Sequence, residues 1–181
     1  MPTFIVGLPL HPLVVHATAV LVPLSVLGAF VVVAWPAARR RYGSLVVATA
    51  VVATVCTVIA EQTGEGLEHN LPRDAAIEAH AALGDSLKLW MAPLMIAVAS
   101  FVLLRRRADR TIERHGTGTT VAPALAGRQR VVALGLAIVT VVPAVGTAVA
   151  VYRIGDSGAR AVWSGRVYQE QPFTGPPPNG G

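Results

Sequence analysis

Four long apolar stretches, parted by short polar ones, run through the 181 residues. The first, residues 13–38, carries no charge and is rich in Val, Leu and Ala. The second covers about 44–60, the third 81–104 (its cleanest part from Leu89, after Asp85 and Lys88), and the fourth 131–152. About 20 apolar residues cross a bilayer's hydrocarbon core, so the first stretch has length to spare for tilt. The pattern predicts an all-α protein, a bundle of four transmembrane helices, forming a single domain over residues 1–163. Pro23, Pro93 and Pro143 fall inside spans and predict kinks. Glu61 with Gly64-Glu65-Gly66 reads as the end of the second span. Gly155–Trp163 reads as a turn, with Asp156 or Ser157 as N-cap, then a short amphipathic helix on the outer surface that could lid the bundle mouth. The tail, 164–181, is polar and ends in a Pro- and Gly-rich run, and is expected to be disordered.

Composition supports the membrane reading: 53% of residues are hydrophobic and only 14% charged, against about a quarter in soluble domains. The first span is not a cleaved signal peptide by pattern, since it lacks a basic n-region and Arg39-Arg40-Arg41 follows it as a stop-transfer cluster. The net charge of +5 does not mark a nucleic-acid binder. Ten of the fourteen arginines fall in two short connections, a distribution set by membrane orientation rather than phosphate binding. The connection after span one holds three arginines, and that after span three holds seven against Asp109 and Glu113. The connection between spans two and three holds six acids against Arg73 and Lys88. Because Lys and Arg gather on the cytoplasmic side, both termini and the acidic connection are expected outside, in a bacterial plasma membrane. Cys56, the single cysteine, lies in an apolar run and reads as a small core residue.

The candidate chemistry lies at the predicted outer level. An ionisable group within a hydrocarbon-length span is costly and marks a site by default. His16 stands 23 residues before Arg39, ~35 Å at 1.5 Å per residue. By the same rise His80 lies ~38 Å from Arg105, Glu61 ~30 Å from Arg41 and Arg153 ~35 Å from Arg130. Each span thus brings one such group to a similar depth. Helix ends gather polar residues in any case, so the coincidence alone does not make a site. In an up-down bundle, spans one and three sit diagonally, and His16 and His80 could supply the two axial nitrogens of a haem b iron, with Arg153 pairing a propionate. Alternatively His16, His80 and Glu61, joined by Glu65, offer nitrogen and oxygen ligands for zinc or copper. A third reading is a non-catalytic scaffold. His11, five residues from His16 and ~140° away around a helix, does not share its face, and with Pro9 and Pro12 beside it reads as an entry or capping residue. His69 reads as solvated, and His115 as a loop residue. Trp35, Trp90, Trp163, Tyr42 and Tyr152 read as an interfacial aromatic belt. No recognisable catalytic spacing appears, so an enzyme is the weakest reading.

Three stretches carry a family likeness: Leu8-Pro9-Leu10-His11-Pro12-Leu13-Val14-Val15-His16, Glu78-Ala79-His80, and Val151-Tyr152-Arg153-Ile154-Gly155-Asp156-Ser157-Gly158-Ala159-Arg160-Ala161-Val162-Trp163. They resemble the bacterial membrane family called domain of unknown function 2231, over about residues 7–163, with the H-P-x-x-V-H opening its most specific part. The resemblance implies four transmembrane helices and a motif-bearing outer end. It makes His11, His16 and His80 the positions to carry over, with Asp156 and Trp163 in the last motif. It also implies electron transfer beside a Rieske-type redox partner, the lipid bilayer being the other partner. Many members carry histidine where this chain has Asp156.

Overall fold

The computed structural model describes residues 4–5, 8–68, 75–115 and 123–163. A minimal antiparallel pairing of β1 (Phe4–Ile5) with β2 (Leu8–Pro9) leads into four long helices. These are α1 (Leu10–Ala34), α2 (Pro36–Glu68), α3 (Ala75–His115) and α4 (Pro123–Trp163). All four are long and apolar enough to cross a membrane, so the chain is a multi-pass membrane protein whose surroundings are lipid.

Only Trp35 parts α1 from α2. Proline disfavours the helical conformation in the residue before it, yet its fixed φ suits a first helical position, so Pro36 ends one helix and starts the next. Contacts then pair the chain antiparallel throughout: His11 with Ala60, His80 with Ser157, Lys88 with Glu61. α1 packs on α2 and α4, and α3 on α4 and α2, while α1 and α3 scarcely touch. The result is an up-down bundle with α1 and α3 on a diagonal.

The core runs along the bundle axis through Val22, Ala29, Val32, Met91, Leu94 and Val98, all buried. Outward faces are as apolar as inward ones, with Leu27, Leu89, Val131 and Val139 exposed, the pattern of helices immersed in hydrocarbon. Close approach depends on small residues: a Cβ at Gly146 would meet the Trp90 indole at 2.0 Å. Trp90 is therefore a packing residue of α3 against α4. Buried hydroxyls are satisfied within their own helices, Ser25 donating to Leu21 O at 2.7 Å and Thr147 to Pro143 O at 2.8 Å.

Two expected breaks do not occur. α2 passes through Glu61, Gly64 and Gly66 to Glu68, and α4 passes through Gly155 to Trp163. The helices thus extend beyond the expected ends at Ala60 and Tyr152, and Asp156 and Ser157 are mid-helix residues rather than N-caps. Among the described residues there is no separate surface helix to act as a lid. Glycine's cost of about 1 kcal/mol in a helix is outweighed where another helix needs the space, and Gly64 and Gly158 both meet that need below. Arg39, Arg40 and Arg41 also lie inside α2 rather than in a connection. The expectations for His69 and for the tail at 164–181 fall outside the described residues.

Candidate functional site

At one end of the bundle all four helices frame a cavity of about 510 Å³, lined mainly by apolar side chains. His11 lies in the first turn of α1. Its Nδ1–H donates to the Ala60 carbonyl of α2 at 3.0 Å, with Thr63 Oγ1 at 3.3 Å. His80, early in α3, places Nδ1 2.9 Å from Ser157 Oγ of α4. The Ser157 hydroxyl also lies 2.9 Å from the Ile154 carbonyl, and with its proton directed there the imidazole is the donor. A carbonyl accepts only, and a hydroxyl has a single proton. These partners assign both rings the Nδ1–H tautomer, leaving an Nε2 lone pair on each.

The carboxylates of Glu61, Glu65 and Asp85 share the cavity wall, with one oxygen from each within 4.8 Å of the others. Glu61 is 12% exposed and forms an ion pair with the Lys88 ammonium. Thr18 and Thr57, also on the wall, donate to Val14 O and Ala53 O of their own helices at 2.9 Å each. Among the described residues the cavity therefore presents acceptors: imidazole nitrogens, carboxylate oxygens and hydroxyl lone pairs. Low dielectric strengthens the field of such groups, and a guest that complements them is a cation or a donor.

The expected site residues divide. His80 and Glu61 line the cavity, whereas His16 and Arg153 are exposed and do not. His16 turns Nδ1–H back to the Pro12 carbonyl of its own helix at 2.6 Å. The separation of the two opening histidines by helix phase holds, but their roles are exchanged: His11 faces inward and His16 outward. The reason is that α1 is already regular at Leu10, so His11 continues at i+4, i+7 and i+8 through Val15, Thr18 and Ala19, all on the cavity wall. Asp156 accepts from Arg160 one turn later at 2.9 Å on the exposed surface, and Trp163 is exposed at the helix end.

A family model described as a predicted membrane protein (DUF2231) matches residues 7–171. The chain belongs to that family. No curated protein and no solved structure matches it. In this DUF2231 chain the H-P-x-x-V-H opening thus supplies one cavity residue, His11, and one outward residue, His16.

Four residues beside His11 and His80 do not read as part of a site in the sequence: Thr63 is not singled out, Gly64 reads as a break, Ser157 as an N-cap and Gly158 only within the last motif. A Cβ at Gly64 would stand 2.9 Å from His11 Cε1, and one at Gly158 3.0 Å from His80 Cε1. Each histidine therefore seats its ring edge on a glycine and its Nδ1 beside the preceding hydroxyl. The signal that could have found them is the repeated hydroxyl–glycine step near the ends of the second and fourth helices.

Proposed function

We propose that the protein is a membrane module that binds a divalent transition-metal cation at the histidine end of its bundle. The arginine end faces the cytoplasm and the cavity the outside of a bacterial plasma membrane, because Lys and Arg concentrate inside. One observation carries the reading: two imidazoles anchored through Nδ1 line the same cavity as three clustered carboxylates, although neither imidazole belongs to the carboxylate group itself, so a shared ion would draw the rings toward it. Metal-bound histidines usually donate their other ring N–H to a protein acceptor, the arrangement that His11 and His80 already have. Imidazole with carboxylate suits zinc or copper. His11 takes the place first expected of His16, and Lys88 is the resident counter-ion that a metal would displace from Glu61.

Cavity size favours a second reading. A volume of about 510 Å³ with apolar walls exceeds what a bare ion needs, and haem b held between His11 and His80 would use it. Among the described residues neither Arg153 nor any other arginine lines the cavity to receive propionates, and the three carboxylates there oppose them, so the metal ion ranks first. An electron-transfer role beside a Rieske-type partner belongs to the haem reading alone.

Both readings are tested on protein purified in mild detergent after expression with haem precursor and with zinc or copper. Near-stoichiometric metal in elemental analysis, lost on His11→Ala/His80→Ala substitution, is the expected result. A Soret band that vanishes in the same variant would transfer the site to haem. Neither metal nor Soret band would end both readings and leave a scaffold.

A further inference from the structure

We infer that Thr63-Gly64 and Ser157-Gly158 are two sockets that set the depth of His11 and His80, the Ala60 carbonyl fixing the His11 tautomer and the Ser157 hydroxyl that of His80, with the glycines and Ser157 acting as positioning residues. The inference deepens the proposed metal site, and its metal arm rests on that reading, whereas its tautomer arm does not.

The two halves of the chain repeat one device. In each, a histidine near the start of a helix reaches the antiparallel partner close to that partner's end. There it meets a hydroxyl followed by glycine. Each hydroxyl donates to a carbonyl of its own helix, Thr63 to Ile59 at 2.8 Å with Ala60 at 3.1 Å, and Ser157 to Ile154 at 2.9 Å. With that proton spent, the hydroxyl offers a lone pair to the ring, so Nδ1 must carry the hydrogen. The following glycine removes the methyl that would otherwise push Cε1 away from 2.9 Å or 3.0 Å. Tautomer and depth are thus set from one partner helix, once by α2 and once by α4. The halves differ in one respect: His11 also has the Ala60 carbonyl at 3.0 Å, which no side-chain change removes, while among the described residues His80 has Ser157 alone.

That difference makes the test selective. In ¹⁵N-labelled full-length protein in lipid nanodiscs, near neutral pH and without added metal, ring nitrogens report the tautomer directly. Both His11 and His80 are expected to show protonated Nδ1 and bare Nε2. Ser157→Ala should abolish that signature at His80 alone, and Ser157→Thr should restore it. Thr63→Val should leave His11 unchanged, because the Ala60 carbonyl still accepts. Gly158→Ala should shift the His80 ring resonances with the helical content intact. Where wild type binds zinc, Ser157→Ala should lower affinity about 10- to 100-fold, the usual effect of losing a partner behind a metal ligand. An Nε2–H signature at His80 in wild type, or a His80 signature indifferent to Ser157→Ala, would overturn the inference. Wild type that shows the Ser157-dependent signature but takes up neither zinc nor copper when they are supplied would overturn only the metal reading.

Discussion

The two ends of the bundle use polar groups in opposite ways. At the arginine end, charge is absorbed into the packing. Arg39 is only 3% exposed, donates Nη1 to the Val32 carbonyl at 3.3 Å, and stacks its guanidinium 5.4 Å from the Phe101 ring centre. Arg106 spans to the Arg40 carbonyl at 3.3 Å, tying α3 to the start of α2. The last turn of a helix leaves carbonyls without intrahelical partners, and the Arg39 guanidinium reaches one of them, at Val32 near the end of α1. At the histidine end, by contrast, side chains are anchored from behind and present acceptors to an open cavity. One end closes the bundle, and the other holds it open around a chemical surface. A polar residue in a membrane helix therefore need not mark a site: Arg39 is packed against Phe101 and the Val32 carbonyl with its buried Nε unpaired, whereas the cavity histidines are anchored through one ring nitrogen and face open space with the other.

This contrast predicts that substitutions at the histidine end change binding and spare stability, and that those at the arginine end do the reverse. The largest effect is expected from His11→Ala/His80→Ala, with zinc or copper affinity falling at least about 100-fold, equivalent to roughly 2.7 kcal/mol, at an unchanged melting temperature. Calorimetric titration beside a thermal melt reads both. A melt that collapses with binding would erase the contrast.

Next comes Gly43→Ala at the arginine end. Its Cβ would lie 2.9 Å from Cγ1 of the buried Val102, and overpacking of this kind costs about 1–3 kcal/mol. A lowered melting temperature with unaltered metal affinity is expected. Arg39→Ala should lower stability by about 1–2 kcal/mol through the lost ring stack and the orphaned Val32 carbonyl, again without affecting the cavity. Unchanged thermal stability would show that this guanidinium contributes no net packing energy.

Lys88→Met sharpens the comparison from the other side. It frees the Glu61 carboxylate of its ammonium, and cation affinity should rise about 3- to 10-fold, since the field of an acid inside a membrane span is strong. A fall in affinity would mean that Lys88 organises the acidic group rather than competing for it. The smallest effect belongs to Arg160→Ala. Its partner Asp156 and the guanidinium are both exposed, so at most about 0.5 kcal/mol and no change in binding are expected by the same melt and titration.

Much of the fold was legible because the bilayer restricts the choices. Four apolar stretches of hydrocarbon length and their charged connections define the helices almost unaided. The site was legible only in part. His80 and Glu61 could be placed by depth, since the 1.5 Å rise per residue is insensitive to detail. Choosing between His11 and His16 required helix phase, and α1 is apolar on every side, so no polar stripe shows which face turns inward. Pro9 and Pro12 suggested a late helix start, whereas prolines are compatible with a first turn and α1 begins at Leu10. Gly64 and Gly155 suggested chain breaks because glycine's local preference is visible in sequence. The imidazole that seats against Gly64 comes from more than fifty residues away, and that contact is not.

The most direct test of the central claim is X-ray absorption at the metal edge of the zinc- or copper-loaded protein. Outer-shell scattering from two imidazoles, with oxygens completing the sphere, is the expected spectrum, and it should lose one imidazole in His11→Ala and one in His80→Ala while His16→Ala matches wild type. An all-oxygen sphere, or an imidazole signal that survives both cavity substitutions and disappears with His16, would contradict it.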